Sequence, residues 1–187
     1  MAFGACSNGV DEGISSRQDD VLARKVAVSQ PLAYIPRTRE LYGAHAPYRW
    51  ARSETAPALV PLERNLAEST VMLVSSSGMF IGGDQEPFGL SDDSTIREIP
   101  AGVDQRLLWP SHFGYRTARA EDDPNTVFPL QRLHELASDG TIGAVADHAV
   151  SFMGGIYSHR RSRDQLAPAV IESARTTHVD LVLLVPV

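Results

Sequence analysis

A helical pattern that runs directly into a continuous apolar segment constrains this chain more than any other feature. Residues 162–177 carry Leu166, Val170 and Ala174 at four-residue spacing, and after Asp180 the chain reads Leu181-Val182-Leu183-Leu184-Val185-Pro186-Val187. Four-residue spacing puts side chains on one face of a helix. A short apolar run rich in valine and leucine reads as a buried strand. A second such unit lies upstream. Val71-Met72-Leu73-Val74-Ser75 ends in Ser76-Ser77-Gly78, and residues 129–138 place Leu130, Leu133, Leu136 and Ala137 on one helical face, with Gly140 just beyond as a C-cap. Strands alternating with helices need crossover connections. The predicted class is therefore α/β, a three-layer Rossmann-like or flavodoxin-like domain with a mostly parallel sheet. Pro168 sits early in the last helix and marks an expected start near it.

The other segments fill in around these units. Residues 95–99 and 107–109 are predicted strands, 142–149 a short strand or extended segment, 151–157 a glycine-containing loop, and 59–66 a short helix. Residues 1–29 are polar and non-periodic apart from a short apolar patch at 21–28, and are expected to be a flexible tail. Residues 30–57 hold Tyr34, Pro36, Tyr42, Pro47, Tyr48, Trp50 and Pro57 without a clean period, which suits a segment wrapped over a domain. One domain over 30–187 follows.

Composition narrows the function classes. With 187 residues, 43% hydrophobic and 21% charged, the chain is long enough to bury a core. A formal net charge of -6 argues against nucleic acid, which favours a basic face. Arg160, Arg161 and Arg163 read as solvated surface. The single cysteine, Cys6, has no partner for an internal disulfide, and nothing nearby would lower its pKa. No apolar run reaches membrane-spanning length, and the first 29 residues lack a signal-peptide layout. The expectation is a cytoplasmic protein with no nucleic-acid or membrane partner.

In open α/β sheets ligands bind beyond the carboxyl ends of the strands. The first candidate site is the loop after the 71–75 run, where Ser76, Ser77, Gly78 and Asp84 offer hydroxyls, backbone N–H groups and a carboxylate for substrate binding. Its pattern matches no dinucleotide, Walker or esterase-elbow motif. Arg97, beside Asp92 and Asp93, is either a structural ion-pair partner or a guanidinium fork for an anionic substrate. His112, in Ser111-His112-Phe113-Gly114-Tyr115, and His148, followed by Ser151 and Met153, are the catalytic acid/base candidates, expected on two loops at one sheet edge. For each histidine a hydrogen-bonded structural role competes. Neither has metal-motif spacing, so no metal is assigned and the cofactor is left unknown. His45, His134, His159 and His178 read as surface or helix-end residues.

Taken in order, these segments resemble one family, selenoprotein B of the glycine, sarcosine, betaine and D-proline reductases, with its wider cysteine-containing relatives. The resemblance runs from about Pro31 to Val187. It rests on Tyr34-Ile35-Pro36-Arg37-Thr38-Arg39, Pro47-Tyr48-Arg49-Trp50-Ala51, the 71–78 strand and loop, Pro87-Phe88, Asp93-Ser94, Arg97 and Ile99-Pro100. It continues through His112, Val127-Phe128-Pro129-Leu130, Gly140-Thr141-Ile142-Gly143 and Ser151-Phe152-Met153-Gly154. Val179 to Val187 is its strongest block.

The resemblance implies a reductase component that acts on small amino-acid-like substrates. It also implies that the last strand leads into a selenocysteine or cysteine nucleophile, followed by Pro and a second Cys, just past Val187. A UGA codon read as stop, a shortened product and a true short paralogue all remain open. Two functions are carried. One is an enzyme, either a reductase component or an acid/base catalyst acting through His112 and His148 without the family nucleophile. The other is a non-catalytic binding or assembly subunit that completes a site with a partner chain. A homo-oligomer or partner subunit is expected to cover the apolar end.

Overall fold

In the computed structural model the described residues are 36, 37, 40, 54–58, 60–90 and 92–187. The tail expected over 1–29 and most of the 30–57 wrap lie outside them. The elements below all belong to the compact unit Ala51–Val187.

The sheet is organised around β1 (Thr70–Ser75). Its first two residues pair in parallel with β5 (Ala144–Val145), and its last two pair in parallel with β6 (His148–Phe152). Its other edge pairs in parallel with β7 (Leu181–Val185), from Val71↔Leu181 to Ser75↔Val185. Strand β3 (Ile96–Pro100) adds an antiparallel edge to β6. A separate antiparallel pair, β2 (Met79–Ile81) and β4 (Leu108–Pro110), folds beside it. The expected α/β class with mostly parallel strands is what forms.

Alternation along β1 explains the layers. Val71 and Leu73 face a core that includes Ile99, Phe128, Leu130, Leu133 and Ala149. Met72 and Val74 face the opposite core, with Ala146 and Val150 and with Val170 and Ala174 packed against it. Successive strand residues point to opposite faces, so a fully apolar strand is one covered on both sides. Helix α2 (Leu130–Ser138) covers the first face and α4 (Ala167–Thr176) the second. The connection from β1 to β5 and the one from β6 to β7 run in opposite directions across β1. Right-handed crossovers then put their helices on opposite faces. Each fully buried Leu or Phe contributes about 1.5–3 kcal/mol of hydrophobic stabilisation.

The ends of α2 follow the sequence signals. Gly140 has φ 78°, its N–H donates to the Ala137 carbonyl, and the Thr141 N–H donates to the Leu136 carbonyl. Those two bonds make a complete Schellman cap. The last helix starts earlier than Pro168 suggests. A short turn, α3 (His159–Arg161), passes into a π-helical segment, Ser162–Leu166, and then into α4. Proline has no N–H for the preceding turn, and the wider π turn just before it takes up that mismatch.

Other expectations are corrected. Of the described part of the 59–66 segment only Leu66 is helical, as the first residue of the turn Leu66–Glu68. The segment after Gly78 is not all loop but contains β2, and residues 118–122 form a five-residue helix, α1 (Ala118–Asp122). Ser151 lies within β6, not in a loop. Strand β7 is not buried. Leu183 is 40% and Leu184 67% exposed, because β7 pairs only with β1 among the described residues and leaves its outer edge open.

Candidate functional site

Strand β1 is the switch point of the sheet, since the chain runs to β5 and β6 on one side and returns to β7 on the other. The crevice beyond the carboxyl ends of such strands is the general place for a ligand. Here it is built from three segments. The β1 exit, Ser76-Ser77-Gly78, turns with Gly78 at φ 67°, and the Gly78 N–H donates to the Phe152 carbonyl at 2.9 Å. Beyond β6, Met153 bridges to Ser77. The loop after β4 crosses over both: the Ser111 N–H donates to the Gly78 carbonyl, and a Cβ on Gly78 would collide with the Ser111 carbonyl. Only glycine satisfies both that φ and that approach.

At this end of the sheet three polar atoms are buried without a hydrogen-bond partner among the described residues: Ser77 Oγ, Ser151 Oγ and His112 Nε2. Buried polar groups are normally satisfied, and each exception needs a reason. Ser75 marks the contrast on the same strand, since its hydroxyl donates to the Val127 carbonyl at 2.8 Å and accepts from the Ser77 N–H. Ser151 sits in register with Ser75 on β1.

His112 is held from several sides. The Gly114 N–H donates to its Nδ1 at 2.8 Å. The ring stacks on Phe113 at 5.7 Å and tilts against Tyr115 at 4.7 Å. Burial lowers its pKa, favouring the neutral ring. The Tyr115 hydroxyl donates to the Ser77 carbonyl at 2.8 Å. Burial, with a smaller contribution from the Glu121 charge, pushes that phenol up to about 12. Gly154 is exposed beside them. A methyl there would lie 3.0 Å from His112 Nε2, 3.0 Å from the Ser76 carbonyl and 3.3 Å from Ser76 Oγ. The carboxyl end of β7 reaches the same place, where the Val187 N–H donates to Ser76 Oγ at 2.9 Å.

The structure thus brings together Ser76, Ser77, Gly78, His112, Ser151 and Met153. It does not bring in the other three. His148 opens β6 at the opposite edge of the sheet, paired with Pro100, so the two histidines do not share an edge. Its Nε2 lies 2.7 Å from Ser173 Oγ, which donates to Glu98 Oε1 at 2.7 Å. That arrangement fastens α4 to the sheet. Arg97 gives its donors to the Glu86, Pro87 and Ile96 carbonyls and to Thr95 Oγ1, and its guanidinium lies 4.3 Å over the Phe88 ring. It staples the 86–88 loop through Nε, with one longer Nη2 bond to Pro87. Asp84 is exposed in the turn after β2.

Tyr115, Gly114 and Gly154 belong to the site although the sequence reading gave them no role. The available signal was Gly114 between two aromatic residues and the glycine pair 154–155 shortly after Phe152. Among the described residues no group of three or more His, Cys, Asp or Glu could hold a metal ion, and no helix is long and apolar enough to cross a membrane. An open cavity of about 410 Å³ elsewhere is lined by Gly102, Asp104, Gln131 and His134. Hydrogen bonds from Arg106 hold the Asp104 carboxylate at about 2, so that group is already committed.

The fold is an α/β sheet crossed in both directions from β1, and its carboxyl edge carries hydroxyls and one imidazole. Comparison with known proteins gives the family. Residues 51–186 match the model of the glycine/sarcosine/betaine reductase selenoprotein B family, and the chain belongs to that family. It is also 30% identical over 128 residues to the D-proline reductase subunit gamma of Acetoanaerobium sticklandii, an alignment covering 68% of this chain and 52% of that protein. The chain therefore spans about half the length of that relative. No solved structure matches it.

Proposed function

We propose that this chain is a selenoprotein B-like reductase subunit whose carboxyl-edge site binds a small amino-acid-like or carboxylate substrate. The observation that carries this reading is the trio of buried, unpartnered atoms, Ser77 Oγ, Ser151 Oγ and His112 Nε2. A carboxylate accepts several hydrogen bonds and would satisfy hydroxyl and imidazole donors that otherwise cost stability. The family match supports the same substrate class, through the glycine, sarcosine, betaine and D-proline reductases that it names. Ser76, Gly78 and Met153 shape the site, and His112 contacts the substrate. The direct test is titration of the protein with glycine, sarcosine, betaine and D-proline by calorimetry. Saturable binding that Ser77→Ala and Ser151→Ala together weaken supports the reading; heat identical to buffer for all four compounds sinks it.

A second reading, an assembly subunit, is favoured by one observation. On β7, whose outer edge is unpaired among the described residues, Leu181, Leu183 and Leu184 are each more than a third exposed. Open apolar edges are usually covered. Light scattering separates the readings: a dimer or larger assembly that a Leu184→Lys change dissolves favours it, and a monomer at all concentrations contradicts it.

A further inference from the structure

We infer that His112 serves the substrate as a hydrogen-bond donor, locked by the Gly114 backbone as the tautomer that carries its hydrogen on Nε2. This rests on the binding reading above and goes further by assigning the imidazole one direction of hydrogen bonding.

The lock is set by the backbone. The Gly114 N–H donates to Nδ1 at 2.8 Å, and a main-chain amide donates and never accepts through its nitrogen. Nδ1 must therefore present its lone pair, and the single ring hydrogen of a neutral imidazole goes to Nε2. The contact needs glycine, because a Cβ at Gly114 would stand 2.8 Å from His112 Cε1 and 3.2 Å from Nδ1. Phe113 and Tyr115 fix the ring plane. The ring cannot readily turn over without leaving the Gly114 N–H unpaired.

A locked Nε2–H has chemical consequences. A general base or a metal ligand would need a lone pair on Nε2, which this tautomer lacks. What remains is a rigid donor, and it is buried with no acceptor among the described residues. The neighbouring Ser76 carbonyl and hydroxyl converge on the same point as Nε2, in front of exposed Gly154. An oxygen of a small carboxylate, taking the Nε2–H and the Ser76 hydroxyl hydrogen and standing clear of the Ser76 carbonyl, is the acceptor that Nε2 lacks.

The experiment uses the full chain labelled with 15N-histidine, and long-range proton–nitrogen spectra with His112 assigned by comparison with His112→Gln. The expected spectrum near neutral pH shows hydrogen on Nε2 and none on Nδ1. Titration with D-proline, glycine or acetate should shift the Nε2 hydrogen downfield and leave the tautomer unchanged. Hydrogen on Nδ1, or a bound state that leaves the Nε2 hydrogen unmoved, would overturn the inference. Binding of the same compounds gives a second readout. His112→Gln keeps an N–H near Nε2 and should bind within about tenfold of the parent, whereas His112→Ala should lose more than that. Equal losses in the two variants count against a donor role. If none of the compounds shifts any resonance at the carboxyl edge, the binding reading falls and the donor role with it. The tautomer is then still decided by the spectrum of the free protein.

Discussion

The backbone N–H of Val187 donates to the hydroxyl of Ser76 at 2.9 Å, while the Ser76 N–H donates to the Val185 carbonyl at 3.1 Å. The pair extends the β1–β7 ladder one step past the strands and holds the β7 exit against the β1 exit, where His112 and Gly154 meet. Ser76→Ala removes the acceptor and leaves a backbone donor unpaired. We expect a loss of about 1 kcal/mol in denaturant unfolding and faster hydrogen exchange at the Val187 amide, with exchange at Val71 to Val74 unchanged.

Gly154 is expected to control access to His112. Its methyl in Gly154→Ala would press on Nε2 and on the Ser76 carbonyl, both at 3.0 Å. Binding of D-proline or glycine should weaken by about tenfold or more, with an unfolding cost of about 1–3 kcal/mol from the forced shift. Calorimetry and urea unfolding on the same preparation separate the two effects. Unaltered binding would mean the ligand does not approach from this side.

Tyr115 couples the site to alkaline pH. Its phenol is raised from 10.0 to about 12 by burial first and the Glu121 charge second. A raised pKa means the folded state holds the proton more tightly than the unfolded chain. That contribution is full below about pH 10 and is lost as pH rises through about 12. Tyr115→Phe should cost about 1 kcal/mol at pH 8, from the lost bond to the Ser77 carbonyl. Its melting temperature should then fall less than the parent's between pH 9 and pH 11, read by circular dichroism.

His148 belongs to the fold and not to the crevice. Ser173 is buried and joins His148 Nε2 to Glu98 Oε1, both at 2.7 Å. Ser173→Ala leaves polar partners stranded and should destabilise by about 1–3 kcal/mol. Binding at the carboxyl edge should stay within twofold of the parent once the protein is folded. A large loss of binding in a folded variant would tie the two edges together, against this account.

The sequence was most legible where one element carried its own signal. The spacing of Leu130 and Leu133 and the glycine at 140 defined α2 and its cap, and the apolar 71–74 run defined a strand covered on both faces. Legibility failed where the decisive partner was remote. The 181–185 run is as apolar as 71–75, and nothing within it says that only one edge is paired among the described residues. His148 and Ser151 are three residues apart, and the choice between loop and strand moved one to each end of β6. Arg97 looked available because, Thr95 Oγ1 apart, its acceptors are main-chain carbonyls of 86, 87 and 96, which no side-chain pattern reveals. The role of His112 depends on the Gly114 amide, a backbone contact visible only in the folded chain.

The measurement that bears most directly on the central claim is amide chemical-shift mapping of the full chain during titration with D-proline and glycine. The account predicts saturable shifts confined to Ser76, Ser77, Gly78, the 112–115 loop and the 151–155 segment. Shifts centred instead on Gly102, Asp104, Gln131 and His134, around the other cavity, or on His148 and Ser173, would contradict it.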